Sequence, residues 1–119
     1  MRVLWTVSSY VLGKGSSWSE KEAKTLIFKP LDITETSIIF NDRTCTGIKF
    51  DRELVNSGEY FSRKALVTQQ ELGITEEKVQ VIRTTCDIPG FQEYIRLHDS
   101  RLIVPMNGVF FFFEPAMTR

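Results

Sequence analysis

Short runs of β-branched and aromatic side chains, punctuated by Gly, Pro, Asn and Asp, dominate this chain, and one stretch carries a clear helical period. In residues 3–11, Val3, Trp5 and Val7 alternate with Leu4, Thr6 and Ser8, which predicts a strand. Gly13-Lys14-Gly15-Ser16-Ser17 reads as a loop. A helix start follows. Ser19 is placed to cap, Glu22 to return the hydrogen bond, and Trp18 and Ala23 to form a hydrophobic staple. Ala23, Leu26 and Ile27 share one apolar stripe. Pro30 disfavours helical backbone at Lys29, so the helix is expected to stop there after about 9 or 10 residues.

Strand patterns return at 31–34 and 36–40, with Asn41-Asp42 as a turn and 44–50 as the partner of a hairpin. Residues 51–66 carry mixed signals: Tyr60, Phe61, Lys64 and Ala65 suit a helical face, whereas Ser57-Gly58 suits a loop. Thr68 with Glu71 makes a second capping box, and Gly73 is placed to end that turn. Residues 78–86, 94–97, 102–106 and 109–113 read as strands, separated by turns at Ile88-Pro89-Gly90, Asp99-Ser100 and Asn107-Gly108. Asn107-Gly108 is the strongest hairpin signal, since both residues tolerate positive φ. The whole predicts a mainly β single domain of about seven or eight strands in an antiparallel meander sheet or barrel, with one short packed helix. An α+β arrangement is the alternative.

Four consecutive phenylalanines depart from the half-exposed strand pattern. Val109, Phe111 and Phe113 share one face, and Phe110 and Phe112 the other. A strand with one wet face alternates apolar with polar, so here both faces are covered or one binds something. The first face is expected to meet Trp5 in the core. Phe110 and Phe112 are expected under the helix at 19–28 or on an apolar surface patch.

Charge narrows the function classes. Fifteen Lys+Arg balance fifteen Asp+Glu, so the cation surplus that phosphate-directed nucleic-acid binding needs is missing. No run approaches the ~20 apolar residues of a membrane-spanning helix. Residues 3–10 are too short and polar an apolar stretch for a signal-peptide core. The chain is therefore expected either to be cytoplasmic or to be a mature form whose leader has been removed.

Enzyme motifs are missing as well. Gly13-x-Gly15 lacks the third glycine of a dinucleotide fingerprint, and there is no Walker sequence, H-E-x-x-H or G-x-S-x-G. His98, the one histidine, sits beside Asp99 in a turn and reads as solvated. Glu20/Glu22 are explained by the helix cap, and Glu76/Glu77 by a solvated strand entry. Cys45 and Cys86, 41 positions apart, exclude a C-x-x-C pair and, with one His, a four-ligand zinc site. They are either two buried thiols or a disulfide worth roughly 4 kcal/mol. Period two turns Cys45 away from Ile48 and Phe50 unless Gly47 marks a bulge. No metal, cofactor or catalytic residue is expected. Arg83, Tyr94, Arg96 and Arg101 near the hairpin turns, with Phe110 and Phe112, make the candidate binding surface, because Arg and Tyr are enriched at protein interfaces.

Trp5 in the first strand, the capped Glu22-Ala23-Lys24 helix, Ile38-Ile39-Phe40 before Cys45, Leu72-Gly73, the strand closing on Cys86 and the final Asn107-Gly108-Val109-Phe110-Phe111-Phe112 hairpin come in a definite order. In this the chain resembles small bacterial exported or periplasmic proteins of lipocalin-like (calycin-type) architecture. The resemblance implies an envelope location, a Cys45–Cys86 bridge and no inherited active site. Trp5 lacks the Gly-x that precedes it in true lipocalins. The expected function is a non-enzymatic envelope protein that binds a protein partner, as inhibitors and immunity proteins do. The alternative is a small carrier whose apolar ligand lies against Trp5, Phe111 and Phe113.

Overall fold

Two dipeptides fix two hairpins. Asn41-Asp42 takes φ of 50° and 65°, and Asn107-Gly108 takes 54° and 81°. Left-handed backbone at both central residues matches the right-handed twist of the flanking strands. The computed structural model describes residues 3–64 and 70–116. It builds one antiparallel sheet from β1 (Val3–Leu12), β2 (Pro30–Ile33), β3 (Ile38–Phe40), β4 (Arg43–Cys45), β5 (Phe50–Asn56), β6 (Lys78–Thr84), β7 (Glu93–Arg96), β8 (Leu102–Met106) and β9 (Val109–Pro115). Helices α1 (Glu20–Lys24) and α2 (Ser57–Lys64) lie in the β1–β2 and β5–β6 connections.

The strand order is β4-β3-β2-β1-β9-β8-β7-β6-β5. Every paired neighbour is consecutive in sequence except β1 and β9, where the two terminal strands meet in the middle of the sheet. The sheet's edges, β4 and β5, are therefore consecutive too, and with all pairs antiparallel they run in the same direction. Residues 43–56 act as one strand broken at a bend, the first part paired with β3 and the second with β6. Gly47, at φ 62°, sits in that bend. The single strand expected over 44–50 is thereby corrected, and so is the outward Cys45. The break resets the alternation and turns both Cys45 and Ile48 inward.

The bend holds the sheet curled into a half-barrel. Ile48 N–H donates to the Thr36 carbonyl at 3.0 Å, Thr85 N–H to the Lys49 carbonyl at 3.2 Å, and Lys49 N–H to Thr85 Oγ1 at 3.0 Å. The Cys45–Cys86 disulfide, with Cα atoms 5.6 Å apart, ties the β4 edge to the end of β6. The two cysteines are thus a buried bridge, not free thiols.

The capping box of α1 forms between Ser19 and Glu22. The α-helix, however, spans five residues rather than nine or ten. The Thr25 hydroxyl donates to the Glu22 carbonyl at 2.6 Å, and later bonds (Leu26 to Ala23, Ile27 to Lys24) reach back only three residues. Phe28 N–H is taken by the Val7 carbonyl at 2.9 Å, so the chain has already begun to join β1.

Both faces of the sheet are covered. Inside the curl, Trp5, Val7, Ala23, Leu26, Phe40, Phe91, Phe111 and Phe113 belong to one continuous core. Outside it, Phe110 and Phe112 pack with Phe61 of α2 and with Leu72 and Ile74. Val109, Phe111 and Phe113 face Trp5's core as expected, but α1 lies on that same side. Phe110 and Phe112 are neither under residues 19–28 nor on a surface patch, being 5% and 6% exposed. β9 is a central strand, paired on both sides, with a layer on each face. Of the second capping box, Thr68 lies outside the described residues; Gly73 ends its turn at φ 71°, donating to the Gln70 carbonyl.

Candidate functional site

Strand alternation decides which polar side chains meet. In the β5–β6–β7 register Arg52 stands opposite Ile82 and Ile82 opposite Tyr94. In the next row on that face Gln80 stands opposite Arg96 and Arg96 opposite Leu102. Ile82, Tyr94 and Leu102 belong to the inner core, so Arg52 and Arg96 share the concave side. They border an open cleft of about 500 Å³ between the β2–β3 turn and β5. Trp5, Phe50, Ile82 and Tyr94 line its apolar part, Lys49, Arg52 and Arg96 its cationic rim, and Glu35 its opposite rim.

Trp5 is held by its indole N–H, which donates to the Ser100 carbonyl at 3.0 Å. Arg96 reaches the Ser100 hydroxyl at 3.4 Å. Burial pushes the Tyr94 hydroxyl up to about 12, against the opposing charges of Arg52 and Arg96. At neutral pH Tyr94 is therefore uncharged. Among the described residues, none of Lys49, Arg52 and Arg96 makes an ion pair. The arrangement can hold an anion attached to an apolar stem.

The surface expected from Arg83, Tyr94, Arg96 and Arg101 is not one surface. Tyr94 and Arg96 come together in the cleft. Arg83, one position out of phase, lies on the other face, bonded to Glu53 at 2.9 Å and Glu93 at 3.1 Å. Those carboxylates raise its pKa, Glu53 most. The Tyr60 hydroxyl donates to the same Glu93, and burial together with that contact raises its pKa. Arg101 is paired with Asp99 at 2.8 Å in the β7–β8 turn. Phe110 and Phe112 are core residues, and Tyr94 is 2% exposed, so none of the three is displayed on the surface.

Sequence reasoning missed Lys49, Arg52 and Glu35. The available signal was Phe50-x-Arg52 followed by Tyr94-x-Arg96, the same aromatic-to-arginine spacing on two strands that share a neighbour. His98 keeps an exposed ring in its turn, but its Nδ1 contacts Glu76 at 2.7 Å. Glu76 is therefore more than a solvated strand entry. Asp87 lies close to both cysteine sulfurs, yet the bridge leaves them no thiolate to offer a metal. No helix among the described residues is long and apolar enough to cross a membrane.

Comparison with known proteins found no matching family model, no similar curated protein and no similar solved structure.

Proposed function

We propose that this chain is a non-enzymatic binding protein of an oxidising, extracytoplasmic compartment, acting on a protein partner in the manner of an inhibitor or immunity protein. The observation that carries this reading is the cleft. It sets Arg52 and Arg96, of a residue type enriched in binding hot spots at protein interfaces, beside a wall lined by Trp5 and Tyr94, and it opens outward from the buried core to which those two aromatics belong. The disulfide supports the compartment, because such bonds persist where thiols are not kept reduced. A carrier of an apolar molecule is disfavoured by Phe111 and Phe113, which are fully enclosed in the core where its ligand would lie.

Native mass spectrometry of protein purified from its own compartment tests the reading. The expected result is the mass of the chain alone, with a saturable one-to-one complex on adding the product of an adjacent gene. A stoichiometric apolar molecule carried through purification would overturn it in favour of a carrier.

A further inference from the structure

We propose that the cleft holds an acidic side chain of the protein partner, an Asp or Glu on an exposed segment, with its carboxylate between Arg52 and Arg96 and its stem against Trp5. This rests on the protein-binding reading above and gives it a chemistry. Charge complementarity is the first argument. Three cations rim the cleft against one carboxylate, Glu35, and among the described residues none of the three makes an ion pair. Arg83 and Arg101, by contrast, are each engaged by carboxylates. An incoming carboxylate would set a negative charge against these cations beside a partly apolar wall, where Coulomb interactions are stronger than in water.

Shape is the second argument. The space is about 500 Å³ and open, and Trp5 and Tyr94 on its wall belong to the buried core. Its lining alternates apolar with charged side chains, which suits a carboxylate on a short stem better than a long alkyl tail. Guanidiniums offer paired donors that match carboxylate geometry. The indole of Trp5, fixed by Ser100, supplies a rigid apolar wall.

The test is a nuclear magnetic resonance titration that follows the Nε–H signals of Arg52 and Arg96 and the indole N–H of Trp5. The probes are the blocked peptide acetyl-Ala-Phe-Glu-Ala-amide, its Gln counterpart, and octanoate. The expected result is saturable shifts of all three signals with the Glu peptide, binding about tenfold weaker with the Gln peptide, and loss of binding in R52Q,R96Q with an unchanged thermal midpoint. Equal binding of the two peptides, or no shift up to about 10 mM, overturns the proposal, since that limit already corresponds to negligible affinity. Octanoate binding more tightly than the Glu peptide overturns it too, in favour of a small acid. The same double variant separates this failure from that of the wider reading. If an adjacent-gene product binds wild type and R52Q,R96Q equally, the chain is a protein binder whose cleft plays no part, and this proposal falls alone.

Discussion

At Gly90 the backbone takes φ of +93°, and a Cβ there would meet the Pro105 carbonyl oxygen at 2.5 Å and Met106 Cγ at 2.7 Å. At Gly73, φ +71°, a Cβ would meet nothing within 4 Å. Alanine at Gly73 should cost only the left-handed strain, ~1–2 kcal/mol, whereas alanine at Gly90 must also displace a backbone carbonyl of β8. Urea unfolding should place Gly90→Ala clearly below Gly73→Ala, and equal midpoints would show that the loop at residues 88–91 yields freely. The phenylalanines give a second comparison at this scale. Phe111 is fully enclosed inside the curl and Phe112 is 6% exposed outside it. Phe111→Ala and Phe112→Ala should each lose ~3–5 kcal/mol, read as shifts in denaturation midpoint. A loss below about 0.5 kcal/mol at Phe112, the range of surface changes, would mean the outer layer is not packed on it.

Elements were legible where pattern and turn chemistry agreed. β8 carries the expected bounds, and both Asn-containing hairpins form, because positive φ at two adjacent residues leaves the chain few other paths. β5 was hidden for a physical reason. As an edge strand with Asp51, Arg52 and Glu53 exposed, it lacks the apolar alternation that marks a half-buried strand, and its charges suit an edge that must not pair with another chain. The cleft was hidden with it, since Arg52 has no visible role until β5 exists. The segment before β6 is fastened by Glu76, whose carboxylate accepts from the His98 backbone N–H at 3.3 Å and contacts its ring. Burial works to raise the Glu76 pKa, but the hydrogen bonds and charge of His98 outweigh it and hold the carboxyl low. A carboxylate depressed in the folded state contributes stability above its unfolded value, here 4.5, and loses that contribution as pH falls through the folded value. The lead of wild type over Glu76→Gln in thermal midpoint should therefore shrink in acid as pH falls below 4.5. A lead that stays constant into acid would show that the contact does not depend on the carboxylate charge.

At the scale of the whole molecule, the antiparallel β class and the core shared by Trp5, Val109, Phe111 and Phe113 follow from residue patterns, while closure does not. Closure depends on a bend at Gly47 and on two cysteines whose pairing spacing alone left open. The disulfide is where these meet, since it joins the β4 edge to the strand beside the β5 edge. Its loop of 41 positions corresponds to roughly 4 kcal/mol of loop-closure entropy removed from the unfolded chain. That is a large share of the ~5–15 kcal/mol that domains of this size possess, so C45A,C86A should remain folded only marginally. The loss should also be uneven. β1, β8 and β9 lie in the middle of the sheet with partners on both sides, whereas residues 46–49 are held by three backbone-directed bonds beside the bridge. Hydrogen exchange on the double variant should show the Ile48 and Thr85 amides losing protection first, with the β1–β9 ladder still slow. Exchange accelerated equally throughout the sheet would mean that the bridge stabilises only by restricting the unfolded chain. Retention of slow exchange at Ile48 would mean that the bend at Gly47 keeps the half-barrel curled without it.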